Sequence, residues 1–163
     1  MVEIRKAKIR DVDDIIPLWK TLMNLHQEMI ATNRPEILSF FETKKNAELL
    51  SKEFITRQIR SKNGAILIAK DDDRIVGYAN LMIKEYIPLF HIEHIGEIIA
   101  LFVDEAYRGN HISSLLFKES KAWFKQKHIS HITLNVFPDN DHAKKIYEHW
   151  GFHCFSNDMR CVI

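Results

Sequence analysis

Residues 2–9 alternate apolar and polar side chains, as expected of a strand with one buried face. Val12, Ile15, Ile16, Trp19, Met23, His26 and Ile30 then recur at helical spacing, with Asp11 or Asp13 as cap and Pro17 near the first turn. A second helix is predicted over residues 40–60, stopped by Asn63 and Gly64. Residues 65–70 and 74–83 read as a hairpin around Asp71, Asp72 and Asp73, and residues 95–103 as the next strand. Residues 112–127 form a helix with Ile112, Leu115, Leu116, Ala122 and Trp123 on one side. The β-branched run 132–136 is a strand, residues 141–150 are a helix ended by Gly151, and the chain returns to strand from Phe152. Strands and helices alternate without a linker or repeat, which predicts one mixed α/β domain over residues 1–163.

Composition narrows the function classes. With 163 residues and 46% hydrophobic content, the chain can bury a substantial core. A net charge of +1 gives no global field to attract nucleic acid or an anionic membrane. No apolar run approaches the ~20 residues that cross a bilayer, and charges interrupt the N-terminus, so a cytoplasmic protein is expected. Cys154 and Cys161 stand in apolar contexts without CxxC spacing and read as reduced core residues.

The densest chemistry lies between Glu97 and Phe152. There a strand ending in Leu101, Phe102 and Val103 feeds a turn that opens a helix at Ile112. First-turn amides lack helical partners, and the macrodipole favours negative charge, so a phosphate-bearing ligand is expected.

In order and spacing the chain resembles the GNAT superfamily of acetyl-CoA-dependent N-acetyltransferases across nearly its whole length. The family's Q/R-x-x-G-x-G/A signature corresponds to Arg108, Gly109, Asn110, His111, Ile112 and Ser113. The resemblance implies a mixed, mostly antiparallel sheet of six to seven strands, splayed at the cofactor site and flanked by about four helices. It implies that Leu101, Phe102 and Val103 pair with pantetheine, and that Arg108 and Gly109 through Ser113 and Ser114 hold the pyrophosphate of coenzyme A. Asn140 matches the family's cofactor-contacting Asn, Tyr147 its Tyr near the thioester sulfur, and Gly151-Phe152 its Gly-Phe pair. His111 departs from the family's glycine, and Ser113 from its Gly or Ala. The His111 imidazole either contacts phosphate or faces solvent.

Acetyl transfer needs a deprotonated amine, and an alkylamine has a pKa near ~10.4, so a base is useful. Glu97 is the candidate. It stands eleven residues before Arg108, where histone-acetylating members of the superfamily carry a general base, and its other reading is a carboxylate at a strand's solvent end. Glu85 and Glu93 are weaker candidates. Tyr147 is the candidate acid, since a phenol stays protonated at neutral pH. It also falls on the stripe Ala143, Ile146, Tyr147 and Trp150 that a core-packed helix shows. Asn140 doubles as a helix cap. By resemblance, the Leu101 amide polarises the carbonyl.

His91 and His94 share H-x-x-H spacing, as do His128 and His131, but neither pair is joined by a Cys or second motif, so no metal is expected. The implied acceptor is a small-molecule, peptide or protein primary amine, contacted by residues 22–41 and 84–95, and a homodimer is compatible with the family. An acyl-CoA sensor or inactive relative is the alternative, and a scaffold that only retains the fold is a weaker one.

Overall fold

A computed structural model describes residues 2–163. Its regular elements are β1 (Glu3–Lys6), α1 (Val12–Asn33), α2 (Ala47–Arg60), β2 (Gly64–Asp71), β3 (Arg74–Glu85), β4 (His94–Val103), α3 (Ile112–Gln126), β5 (Ile132–Leu134) and α4 (Asp141–His149). Short 3₁₀ turns cover Ile9–Asp11, Pro35–Phe40 and Glu105–Tyr107. The strands form one sheet in the order β1-β2-β3-β4-β5, antiparallel throughout except for the parallel β4–β5 pair.

The sheet separates two apolar cores. On one face Leu67, Val76, Leu81, Ile98 and Val103 meet Leu116, Phe117 and Phe124 of α3. On the other, Ile66, Ile68, Tyr78 and Phe102 meet Ile15, Ile16 and Leu22 of α1 and Ile55 of α2. β2 and β3 are therefore buried on both faces, and they lack the alternation that a half-exposed strand carries.

Several expectations are corrected. The sheet has five strands among the described residues rather than six to seven, because the segment after Phe152 forms no strand. Cys154 and Cys161 lie in that segment and are exposed, so they are not core residues. The second helix begins at Ala47 rather than near Phe40, since Pro35 opens a separate 3₁₀ turn. In α3 Leu115 faces outward, while Phe117, Ser120 and Phe124 are buried. Helix α1 starts at Val12, so Pro17 sits inside it, and Asp11 does not cap it with its side chain. The Asp11 carboxylate instead takes both Nη1 and Nη2 of Arg5 at 2.8 Å and the Lys8 amide at 2.6 Å. Chiefly through the Arg5 hydrogen bonds, its pKa is held down to about 2.

Candidate active site

Strand β4 forks from its neighbour. It pairs with β3 from His94 through Val103, but with β5 only at Gly96, Glu97 and Ile98. Beyond Ile98 its β5-facing edge pairs with no strand among the described residues, which leaves main-chain groups for an extended ligand to pair with. A register shift marks the departure point: Leu81 opposes Ile98 and Asn80 opposes Ala100, so Ile99 is an extra, bulged residue. The bulge switches the side-chain parity. Before it, Gly96 and Ile98 face α3, where an added Cβ on Gly96 would fall 2.5 Å from the Phe124 ring. After it, Leu101 and Val103 face α3, while Ala100 and Phe102 face α1 and α2. Glu97 therefore shares the α1–α2 face with Ala100 and Phe102.

At the open end of the fork, β4 runs into the turn that precedes α3. Asp104 accepts from the Ala106 amide at 3.2 Å and from Arg74 Nη2 at 2.6 Å, fixing the approach. Arg108 Nε donates to the Val103 carbonyl at 3.3 Å. Gly109 has φ +80° and nothing within 4 Å of where a Cβ would stand, so its backbone is open to a bulky ligand. His111, at the N-cap of α3, adopts φ 58° and ψ 14°. The histidine thus takes the left-handed conformation that glycine adopts without strain, rather than an ordinary helical one. The exposed turn presents the first α3 amides, with Ser113 half-buried and Ser114 exposed beside them. Together the free edge and this turn fit an extended, phosphate-ended molecule.

Tyr147 is half-buried on α4, and burial pushes its phenol pKa up, keeping the proton on oxygen at neutral pH. Its ring lies 5.8 Å from that of Trp150 and 6.0 Å from that of Phe152. Trp150 in turn stacks on Phe117 of α3, with centroids 4.4 Å apart. The Gly-Phe pair has a structural cause. Gly151, at φ +90°, donates to the Glu148 carbonyl at 3.0 Å, and Phe152 donates to the Tyr147 carbonyl at 2.9 Å. These two bonds close α4 in a Schellman motif. Asn140 caps the other end of α4, its Oδ1 accepting from the Ala143 amide at 3.1 Å, which leaves Nδ2 as a donor.

Three interactions were not legible as such in the sequence. Lys84 Nζ binds Glu97 Oε2 at 2.9 Å, so the candidate base carries an ammonium partner; only the β3–β4 register reveals the pair. Arg34, after α1, grips Asp139 beside Asn140 with two hydrogen bonds of 2.8 and 3.3 Å. His26, Phe41 and Phe137 form an edge-to-face cluster with centroids 4.8–5.8 Å apart. Burial lowers the pKa of His26. The segment after α1 is therefore tied to the loop between β5 and α4 at two points. Glu85 and Glu93 lie outside this arrangement, at the end of β3 and in the connection to β4.

A family model described as the acetyltransferase (GNAT) family matches residues 26–152. Among solved structures, a tetramutant of the BH1408 protein from Bacillus halodurans superposes with a TM-score of 0.82 at 21% identity, covering 99% of each chain. The aminoglycoside N-acetyltransferase AAC(6')-Iy in complex with CoA gives a TM-score of 0.75 at 18% identity, covering 100% of this chain and 95% of its own. A predicted acetyltransferase from Clostridium acetobutylicum, solved with acetyl-CoA, gives 0.79 at 15% identity over 99% and 96% of the two chains. At these identities the likeness concerns the fold. No curated protein matches the chain in sequence.

Proposed function

Because the chain belongs to the GNAT acetyltransferase family, we propose that it transfers the acetyl group of acetyl-CoA to a primary amine by direct attack in a ternary complex. The observation that carries this reading is the fork at Ile99 leading into the left-handed turn at Gly109 and His111. In this reading Leu101, Phe102 and Val103 pair with pantetheine, and the amides from Gly109 to Ser114, with Arg108, hold the pyrophosphate. Asn140 donates to the cofactor through Nδ2. The aminoglycoside N-acetyltransferase among the structural neighbours supports a small-molecule amine as acceptor.

Acetyl-CoA supplies an activated thioester. Glu97 takes one proton from the alkylammonium, directly or through a water, after releasing Lys84. The amine nitrogen bonds the carbonyl carbon, the C–S bond breaks, and the sulfur takes the Tyr147 proton. The phenol regains a proton from the surplus on the new amide nitrogen, and the products are the acetylated amine and free CoA thiol. The Leu101 amide is the donor proposed for the carbonyl oxygen.

The test is equilibrium binding of acetyl-CoA followed by thiol release with a mixed panel of amines and peptides, read by mass spectrometry. Saturable binding and an acetylated product are expected; no binding at millimolar acetyl-CoA overturns the assignment. The Lys84–Glu97 pair favours one alternative, an acyl-CoA sensor with a blocked base, which predicts tight binding and no thiol release with any amine.

A further inference from the structure

Among the described residues, three buried side-chain atoms lack a hydrogen-bond partner: Gln58 Oε1, Tyr78 Oη and Asn80 Oδ1. Asn80 differs from the other two in what surrounds it. It is 4% exposed and stands on β3 opposite Ala100, where the β3–β4 register shifts. Its neighbours Ala79 and Leu81 face α3, so Asn80 faces α1 and α2, on the same side of the sheet as Glu97 and Ala100. Met82, Glu97 and Ala100 on this face are only half-buried, which opens the sheet surface beside Asn80 to a small molecule. Tyr78 is instead sealed in the core with Ile66, Ile68 and Phe102, and the amide nitrogen of Gln58 is held by Met82 Sδ at 3.7 Å.

A buried carbonyl oxygen without a donor destabilises the protein that carries it, so its presence beside a cleft points to a donor that arrives with a ligand. We propose that Asn80 Oδ1 receives an N–H of the acceptor amine and sets the site's choice of primary over secondary amines, a role that rests on the acetyl-transfer reading of the site. Neighbouring strands lie ~4.8 Å apart, so Asn80 and a ligand paired along the outer edge of β4 stand two strand spacings, or ~10 Å, from each other. The small Ala100 side chain lies between them on this face. An amine nitrogen seated above that methyl group meets Asn80 on one side and the thioester on the other, with Glu97 on the same face nearer the start of β4.

The chemistry follows from counting protons. An alkylammonium carries three N–H bonds, and once Glu97 has taken one proton the neutral primary amine keeps two. One donates to Asn80 Oδ1 while the lone pair turns toward the carbonyl carbon. A neutral secondary amine keeps a single N–H, and its second alkyl group falls where Asn80 requires a donor.

The experiment compares the native protein with Asn80→Leu, Asn80→Ala and Asn80→Asp in three readouts: acetyl-CoA affinity, melting temperature, and thiol release with the best primary acceptor of the mixed amine panel against its N-methyl derivative. The native protein should prefer the primary amine. Asn80→Leu and Asn80→Ala should each reduce that preference about tenfold at unchanged acetyl-CoA affinity, and Asn80→Asp, which keeps an acceptor oxygen, should retain it. Because Asn80→Leu removes the orphaned oxygen at nearly the same shape, its melting temperature should be unchanged or higher. A native protein that binds no acetyl-CoA, or acetylates no amine, overturns the acetyl-transfer reading and this role with it. Where the native protein does acetylate amines, the role alone is overturned by the absence of a primary-amine preference, by a preference that survives in either Asn80→Leu or Asn80→Ala, or by a lower melting temperature of Asn80→Leu, the mark of a structural hydrogen bond through a buried water.

Discussion

Two histidines bracket α3 in the left-handed conformation, His111 at φ 58° before its first turn and His128 at φ 60° after its last. A side chain there costs about 1–2 kcal/mol, part of which glycine returns through its larger unfolded-state entropy. His111→Gly should therefore raise the melting temperature by about 1–2 °C while acetyl-CoA affinity is retained; a lower melting temperature in a thermal scan would contradict the strain argument. Tyr147→Phe keeps the ring contacts with Trp150 and Phe152 and removes only the hydroxyl. Turnover should fall by roughly 10²-fold at unchanged acetyl-CoA affinity, and equal turnover assigns Tyr147 to packing. Asp11 makes a sharper statement about pH. Its folded pKa of about 2 lies below its ordinary 3.8, so the stability it contributes is present above pH 3.8 and lost as pH falls toward 2. Asp11→Asn should flatten the steep acid limb of stability against pH between those values, as followed by circular dichroism.

At the scale of elements, periodicity made most helices and strands legible to within a few residues, because long amphipathic or β-branched runs leave little choice. What it left dark were features set by partners distant in sequence. The Ile99 bulge exists only relative to Asn80 and Leu81 on β3. The inward turn of Phe117 follows from Trp150 stacking on it, thirty-three residues further along the chain. The segment from Phe152 reads as a strand, yet it forms none, since a strand also needs a hydrogen-bonding neighbour. The packing of α3 on β4 gives an element-scale prediction: Gly96→Ala places a methyl 2.5 Å from a Phe124 ring carbon. Overpacking of this kind costs about 1–3 kcal/mol, measurable in urea unfolding. An unchanged midpoint would mean that the ring moves aside at no cost.

For the whole molecule, the family signature pointed to the architecture, and it places the proposed phosphate-binding residues, Arg108 through Ser113, at a strand-to-helix turn. It gave no hint that Lys84 occupies Glu97, or that His26 and Arg34 fasten α1 and the residue after it to the loop before α4. Those fastenings span more than a hundred residues of sequence and depend on the assembled fold. Among the described residues no helix is long and apolar enough to cross a membrane.

The shortness of the β4–β5 ladder has a mechanical consequence. Only three residue pairs join β5, and with it the start of the α4 region, to the rest of the sheet's backbone. A ligand lying in the fork acts as a splint, adding main-chain bonds where the sheet has none. Amides of α4 and of residues 99–103 should then exchange with deuterium more slowly once acetyl-CoA is added, while those of β2 and β3 hold their rate.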